Sequence, residues 1–392
     1  MVTIFNTSSN KKEILEVSEH PDVKIFICGP TVYDYSHLGH ARIFIVCDVI
    51  AMYLKVRGYR PFVLLNLTDI DPKVFDRARN EDLDYKTIIM KYKQELMKDL
   101  ALINVKNISV FALGTDYIKY MIENVSKLID HGYAYSANGN IYFDTMKVQG
   151  YGELSHQTKE ELMMHRIDLA PNKRNQYDFL VWDGKDKFDI AWKNDFGTGI
   201  PWWHIQDTSV AMCIFKTEYD IHCGARELLY PHHEAHLAQM KALTKNDKPI
   251  RYWVHAGILT INGQKMSKSL GNIIRIRDAV QKYGPDVLRL YILSKHYRND
   301  MGYDENELLE YKSKLEHIVD ALKILSEVED GTYDSMLIDR FYKAMDDDFD
   351  TPTALNTLIE LCKNVVEEKI VPNKILRNEI IKMLDVFGLK IS

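Results

Sequence analysis

Two histidines flank a glycine a short distance after an apolar strand pattern. VKIFIC (23–28) reads as a buried strand, a Gly-Pro break ends it, and HLGH (37–40) opens a helical stretch. Residues three apart at a helix start share a face, so the imidazoles of His37 and His40 should lie together. Backbone N–H groups at that end attract anions, and Gly39 lets a ligand come close. The pattern predicts phosphate binding, with two ordinary polar residues at a helix start as the alternative.

A second basic segment lies far along the chain. TINGQKMSKSLG (260–271) indicates a turn and an exposed loop, in which Lys265 and Lys268 are three residues apart among hydroxyl side chains. Such a loop can clamp a polyphosphate, and a solvated charged loop is the alternative. The phosphate-binding pattern Gly-x-x-x-x-Gly-Lys occurs nowhere in the sequence, so an ATP site must be of another kind.

Three histidines fall within five residues of YPHHEAHLAQ (230–239). His232 and His236 are four residues apart, which predicts that both lie on one helix face, a common arrangement of metal ligands. HHEAH resembles the His-Glu-x-x-His motif of zinc proteases, but the span from His233 to His236 is one residue too short. We therefore favour a metal site over purely structural histidines, and the spacing argues against a metalloprotease.

The elements that must position these residues follow from the hydrophobic pattern. A strand at 23–28, a helix from about Leu38 to Arg57 and a strand at 61–67 form a βαβ unit, which predicts a parallel sheet. Ligands of such sheets bind beyond the carboxyl ends of the strands. Cys28 and the segment NLTDID (66–71) both lie at those ends.

The chain divides into four predicted segments of an α/β protein. A doubly wound, Rossmann-like parallel-sheet catalytic domain is assigned to residues 1–145 and 201–276, the second part carrying the KMSKS loop. Residues 146–200 are polar and rich in aromatic side chains and form a predicted insertion. A helical bundle is predicted for 277–392. Asn138-Gly139 between alternating apolar residues predicts a β-hairpin just before the insertion.

Composition excludes several classes of protein. The 392 residues are 46% hydrophobic and 27% charged, which is ordinary for a soluble globular chain. The net charge of −6 excludes a global basic surface for nucleic acid, though not a local patch. Five scattered cysteines without a Cys-x-x-Cys pair predict a reducing, cytoplasmic location. The longest apolar run, Ile43 to Leu54, is too short for a bilayer and contains Asp48, so we predict no membrane association.

Together these motifs resemble those of class I aminoacyl-tRNA synthetases, and specifically the cysteinyl-tRNA synthetase family. HLGH resembles the HIGH signature, and KMSKS matches letter for letter. The segments that follow the family order are CGPTVYDYSHLGHAR, NLTDID, WHI (203–205), YPHHE, KMSKSLGN, LSKHYR (293–298) and DDFDTPTAL (347–355). The resemblance covers essentially the whole chain.

The resemblance implies a reaction in two steps. Cysteine and ATP, bound with Mg²⁺, form cysteinyl-adenylate and pyrophosphate, and the cysteinyl group then passes to the terminal ribose of tRNA(Cys). The implied catalytic residues, which stabilise phosphate charge in the transition state, are His37, His40, Lys265 and Lys268. The implied contacts to ATP and cysteine are Gly29, Thr31, Gly39, Thr68, Trp203, Gly224, Glu227, Ser267 and Lys268.

The family holds the thiol of its cysteine substrate with one Zn²⁺ ion, bound by two cysteines, a histidine and a glutamate. A zinc–thiolate bond separates sulfur from oxygen better than ordinary contacts, which reject such an isostere only ~10²-fold. The matching positions here are Cys28, Asp207, His232 and His236. Asp and His both bind zinc, so a site with a single protein thiolate is predicted.

Further departures from the family lie nearby and at the end of the chain. Cys213 and Cys223 are spare thiols that could replace Asp207, although we interpret them as buried apolar cysteines. The Gly-Gly-Gly-x-Asp segment of the adenosine pocket reads CGARE (223–227). Family members usually continue into a small anticodon-reading segment, whereas this sequence stops at Ser392, so that segment is either absent or cut away.

Two other functions remain open from the sequence. One is a related ligase that joins cysteine to an amino sugar, and the other is a non-catalytic, zinc-containing paralogue that binds tRNA. Intact HLGH and KMSKS argue against the paralogue, and GPTVYDY and DDFDTPTAL favour the synthetase over the amino-sugar ligase. We predict a monomeric, cytoplasmic enzyme of the cysteinyl-tRNA synthetase family.

Overall fold

The computed structural model of the chain describes residues 1–158, 161–162, 173–184, 190–266, 271–331 and 336–391. Its strands are β1 Thr3–Asn6, β2 Lys11–Ile14, β3 Asp22–Thr31, β4 Arg60–Thr68, β5 Val110–Leu113, β6 Ala134–Ala137, β7 Asn140–Phe143, β8 Phe179–Asp183, β9 Trp192–Asn194, β10 Gly197–Pro201, β11 Tyr219–Ala225, β12 Ile250–Ala256, β13 Leu259–Ile261, β14 Gln264–Lys265 and β15 Met301–Gly302. Its α-helices are α1 Leu38–Val56, α2 Pro72–Glu81, α3 Tyr85–Leu102, α4 Ile118–Asp130, α5 Trp203–Phe215, α6 Glu234–Thr244, α7 Ile276–Tyr283, α8 Pro285–Leu293, α9 Glu305–Ile324, α10 Met336–Asp346, α11 Thr351–Val366 and α12 Lys374–Phe387.

The central sheet is parallel, as predicted. In the described part of the chain its strand order is β12–β11–β3–β4–β5. From β3 the chain first builds outward to β4 and β5, and it later returns on the other side to add β11 and β12. The direction therefore reverses between β3 and β11, and the crevice outside the carboxyl ends of strands at such a reversal is where open α/β sheets bind ligands.

Helix α1 connects β3 to β4 and lies between the sheet and the helical part of the chain. The prediction of a helix from about Leu38 to Arg57 is confirmed by α1, which ends at Val56. Its apolar residues are buried on several sides, which explains why this segment is almost continuously apolar rather than striped. None of the helices in the described ranges is long and apolar enough to cross a membrane.

A second sheet is antiparallel and has the strand order β6–β7–β8–β10–β9 among the described residues. The predicted hairpin is confirmed: β6 and β7 join through Asn138 and Gly139, both with positive φ (52° and 79°). Because β7 pairs with β8, this sheet begins before residue 146, where the sequence analysis places the start of the insertion.

From α7 onward the described chain is mainly helical, as the pattern predicted. Arg289 in α8 joins these helices to the catalytic domain. Its guanidinium donates to Oδ2 of Asp48 in α1 at 2.9 Å, to the carbonyl of Ile103 at 2.7 Å and to the carbonyl of Phe387 at 2.6 Å. The Arg289 side chain is fully buried, so the ion pair with Asp48 lies in the interface between the two parts.

Candidate active site

A cavity of about 310 Å³ opens at the carboxyl ends of the central strands. The predicted site residues that line it are Cys28, Gly29, Thr31, His40, Thr68, Trp203, Glu227 and His232. An adjoining cleft of about 50 Å³ adds His37, Gly39 and Lys265, and it shares His40 and Glu227 with the larger cavity. Residues predicted from segments far apart in the chain therefore meet at one place.

Two glycines allow the strands to come close enough to build this wall. A Cβ on Gly29 would lie 1.9 Å from the carbonyl oxygen of Asn66, so glycine is required where β3 runs beside β4. A Cβ on Gly224 would lie 2.5 Å from Cε1 of His233 and 3.6 Å from Cβ of Cys28. Gly224 therefore makes room for His233 beside Cys28, behind the cavity wall.

The two histidines of HLGH cap α1. Nδ1 of His37 accepts a hydrogen bond from the backbone N–H of Gly39 at 3.1 Å, and Nδ1 of His40 accepts one from the N–H of His37 at 3.4 Å. The rings stack with their centroids 3.8 Å apart. A neutral ring that accepts through Nδ1 carries its proton on Nε2, so each imidazole offers a donor suited to a phosphate oxygen. The backbone N–H groups of His37 and Gly39, which were expected to bind an anion, already donate to these ring nitrogens.

The basic loop reaches the same cleft through Lys265. Its ammonium group forms an ion pair with the carboxylate of Glu227. The Lys265 side chain is 59% exposed and that of Glu227 34% exposed, so water screens this pair and its geometry can change easily. Ser267 and Lys268, the other predicted residues of the loop, lie outside the described residues.

Thiol, carboxylate and imidazole groups meet on the opposite, buried side of the cavity. One ligand atom each from Cys28, His232 and His233 lies within 4.8 Å of the others. Oδ2 of Asp207 is 3.1 Å from Nε2 of His232, and the same carboxylate interacts with the Cys28 thiol. The Nδ2 group of Asn66 donates to Oδ1 of Asp207 at 2.7 Å and orients it.

His236 does not join this group, and the predicted helix spacing explains the difference. His232 lies in a π-helical turn, Leu229–His233, that runs directly into α6 at Glu234, so one regular α-helical turn does not separate His232 from His236. Both ring nitrogens of His236 are engaged: Nδ1 lies 3.0 Å from Oγ1 of Thr208, and Nε2 lies 2.8 Å from the hydroxyl of Tyr219. Among the described residues it is His233, and not His236, that has a ring nitrogen within 4.8 Å of the Cys28 and His232 ligand atoms.

Burial sets the charge state of this group. It raises the pKa of the Cys28 thiol well above its usual value, and Asp207 adds to the effect. Burial would also raise the pKa of Asp207, but His232 holds that pKa below its ordinary value. The result is a buried carboxylate beside a protonated thiol, an arrangement that a divalent cation would stabilise.

The donor set fits a metal ion such as zinc. Nε2 of His233 is buried and has no hydrogen-bond partner among the described residues, so a ring nitrogen is left beside Cys28 for a ligand. Ligand atoms on one tetrahedral zinc ion lie about 3.4 Å apart for bonds of about 2.1 Å. The 3.1 Å between Asp207 and His232 is close to that spacing.

Trp203, which the sequence analysis selected, and histidine side chains that it did not select complete the site. Trp203 stacks on His232 with centroids 4.4 Å apart and planes 8° from parallel. Nδ1 of His204 lies 3.0 Å from Nδ1 of His232. His233 lies in the YPHHE motif and His204 in WHI, so the sequence motifs could have identified both as site residues. His255 lies in no such motif, because it is a single histidine in an apolar strand.

Comparisons with known proteins show which family the chain belongs to. Residues 14–313 match the model of the class I (C) tRNA synthetase catalytic domain, and residues 340–389 match the DALR domain. A cysteine–tRNA ligase from Thermococcus onnurineus is 37% identical over 380 residues, covering 93% of this chain and 80% of the relative. One from Persephonella marina is 39% identical over 383 residues, covering 94% of this chain and 78% of the relative.

Solved structures agree on the fold. The structure of a Mycobacterium tuberculosis methionyl-tRNA synthetase in complex with methionyl-adenylate has a TM-score of 0.67 and covers 93% of this chain and 88% of its own. At 13% identity this likeness shows the α/β fold with its helical extension and nothing finer. The family models and the relatives together go further: this chain belongs to the class I cysteinyl-tRNA synthetase family.

Proposed function

We propose that this chain ligates cysteine to tRNA in two ATP-dependent steps, through a cysteinyl-adenylate. One observation carries the proposal: a single cavity joins His40 of the HLGH segment to Cys28 and His232, which belong to a buried thiol–carboxylate–imidazole group. The first region suits phosphate, and the second suits a soft metal ion that recognises sulfur. Cysteine and ATP are the substrates that need both regions at once.

In the first step the carboxylate of cysteine attacks the α-phosphate of ATP and displaces pyrophosphate, so no protein nucleophile is required. The protein places the reactants and stabilises the charge that develops on the phosphate oxygens. His37 and His40 donate through Nε2, because their Nδ1 atoms are held at the start of α1. Lys265 reaches the same oxygens once ATP displaces it from Glu227, and Mg²⁺ accompanies the nucleotide.

The cysteine side chain enters the buried side of the cavity, between Thr68 and Trp203. We propose that Cys28, Asp207 and His232 hold a Zn²⁺ ion there and that His233, in place of His236, is the nearest further ligand. A bound zinc ion supplies a soft partner for the thiolate of the substrate, which oxygen in serine cannot match. Trp203 fixes the ring of His232 by stacking on it and closes that side of the pocket.

Cysteine-dependent ATP–pyrophosphate exchange, measured with the full chain, tests the first step. We expect exchange with cysteine and at least about 100-fold less with serine, because ordinary contacts alone discriminate by about that factor. Exchange without cysteine, or equal exchange with serine, would contradict the assignment. Transfer of labelled cysteine to tRNA, with an amino sugar as the competing acceptor, tests the second step, and transfer to the sugar alone would replace tRNA as the acceptor.

A further inference from the structure

His233 lies at the end of a chain of hydrogen bonds that leads away from the metal group. Its Nδ1 is 2.8 Å from Nε2 of His255 in β12, and Nδ1 of His255 is 2.8 Å from Oγ1 of Thr7. The three residues come from three separate elements: the turn before α6, the central sheet and the loop after β1. His255 stands beside Gly224 in the register of β11 and β12, close to the ring of His233.

The direction of these hydrogen bonds decides which nitrogen of His233 can bind a metal. If His233 donates through Nδ1–H to Nε2 of His255, then Nε2 of His233 keeps its lone pair. His255 must then carry its proton on Nδ1 and donate it to the hydroxyl oxygen of Thr7. The hydroxyl of Thr7 can accept this proton while its own O–H points away, so Thr7 is compatible with the tautomers that leave Nε2 of His233 able to bind a metal.

Thr7 is itself held firmly at the end of the chain. Its backbone N–H donates to the carbonyl of Trp253 at 2.9 Å, and its own carbonyl lies 2.6 Å from Nε2 of His156. The ring of Trp253 is parallel to that of His255 within 2°, which limits rotation of the imidazole.

We propose that His255 and Thr7 are positioning residues that hold His233 as a metal ligand through Nε2. This inference rests on the metal site proposed above and adds two residues that do not touch the metal themselves. Partners that orient a histidine ligand in this way are typically worth 10- to 100-fold in metal affinity.

The test measures metal affinity and the electronic spectrum of the full chain loaded with Co²⁺, using a chelator as competitor. We expect His255→Leu to weaken binding about 10- to 100-fold and to change the cobalt absorption bands. His255→Gln, whose side-chain oxygen can accept from Nδ1–H, should restore part of the affinity. Thr7→Val should weaken binding by about tenfold, while Thr7→Ser keeps the acceptor and should bind like the wild type.

Tyr252→Phe is the matched control. Tyr252 lies in β12 like His255, and its hydroxyl ties the same N-terminal hairpin through Glu16 N–H at 2.8 Å and the carbonyl of Ile14 at 2.9 Å. The Tyr252→Phe variant therefore removes one hydroxyl that holds the N-terminal hairpin against β12, but it leaves the hydrogen bonds from His233 through His255 to Thr7 intact. It should leave the metal affinity and the cobalt spectrum unchanged. Thermal melting of each variant identifies those that fail to fold.

Three outcomes would overturn the inference. Wild-type affinity and spectrum in folded His255→Leu would show that the relay does not act on a ligand. Equal weakening by Tyr252→Phe would show that only the packing of the hairpin matters. Loss of metal in His236→Gln with full binding in His233→Gln would return the ligand role to His236. Failure of the wild type to bind any metal is a different result, since it removes the proposed metal site and this inference with it.

Discussion

The two sides of the cavity differ in how firmly their groups are held. On the phosphate side, Lys265 is 59% and Glu227 34% exposed, and their ion pair is open to water. On the side where we propose a metal, which we call the metal side, the side chain of Asp207 is fully buried and that of His232 is 3% exposed. One side can adapt to a nucleotide, whereas the other presents a fixed set of atoms.

This difference suits the two tasks of the site. Phosphate charge is large and can be stabilised by donors that move into place, so exposure of Lys265 does little harm. Discrimination of sulfur from oxygen depends on a difference of one atom, and it requires ligands that cannot relax toward the wrong substrate. We therefore expect substitutions on the buried side to have larger effects than substitutions on the exposed side.

The largest effect is expected from Cys28→Ala. Structural zinc sites bind with about 10–16 kcal/mol, so one of four ligands accounts for roughly 2.5–4 kcal/mol, or about 10²–10³-fold in metal affinity. Cysteine-dependent ATP–pyrophosphate exchange should fall to background as the metal is lost. Metal analysis after dialysis measures the loss, and Cys213→Ala, a half-buried thiol in α5, is the control that should retain its metal. Full metal loading of Cys28→Ala would place the ion elsewhere.

His40→Ala tests the phosphate side at a ring that is fixed by a hydrogen bond at the start of α1. Loss of one preorganised donor to transition-state charge costs about 10²-fold in rate, so adenylate formation should slow by about that factor. Affinity for cysteine should not change, because the metal group remains intact. Pre-steady-state measurement of adenylate formation at several cysteine concentrations separates the rate from the affinity for cysteine. His317→Ala on the surface of α9 is the control. A parallel loss of cysteine affinity would mean that the two sides are not independent.

Asp207→Asn refines the metal side. The amide keeps the shape and the contact with Asn66 but removes the charge that His232 stabilises. We expect metal affinity to fall by about tenfold, less than for Cys28→Ala, because a neutral oxygen donor remains. Chelator competition measures this change. A loss as large as that of Cys28→Ala would make Asp207 an equal partner in the site.

Glu227→Gln should have the smallest effect. It breaks the ion pair with Lys265, and exposed pairs of this kind contribute about 0.2–1 kcal/mol. The dissociation constant of ATP should therefore change by no more than about fivefold, and less at high salt. Equilibrium binding of ATP at two salt concentrations tests this. A change above about 100-fold would show that Glu227 belongs to a firmly ordered nucleotide pocket.

The hydrophobic pattern was sufficient to predict the first two strands of the central sheet and their parallel pairing, because these strands are largely buried and read as mainly apolar runs such as VKIFIC. Helical periodicity was also sufficient for HLGH, where the spacing of His37 and His40 survives in a regular helix. The same argument did not hold for His232 and His236, because His232 lies in a π-helical turn and the regular α-helix begins only at Glu234. A spacing rule is valid only where the element is regular.

His255 shows a second limit. It contacts His233 because β11 and β12 align Gly224 with His255, a register that depends on the whole sheet. No local pattern marks a single histidine in an apolar strand as part of a polar network. Likewise, the start of the antiparallel sheet at β6 follows from pairing with β8, which lies far along the chain.

Arg289 has a consequence for attempts to build chimaeric enzymes from this chain. Its buried guanidinium is shared among Asp48, Ile103 and Phe387, so it is satisfied by both parts of the molecule at once. Removing one partner of a buried ion pair typically costs 3–5 kcal/mol, a large part of the stability of a domain. The helical part cannot therefore be replaced on its own by that of another protein. A chimaeric enzyme has to keep Arg289, Asp48 and the end of α12 together.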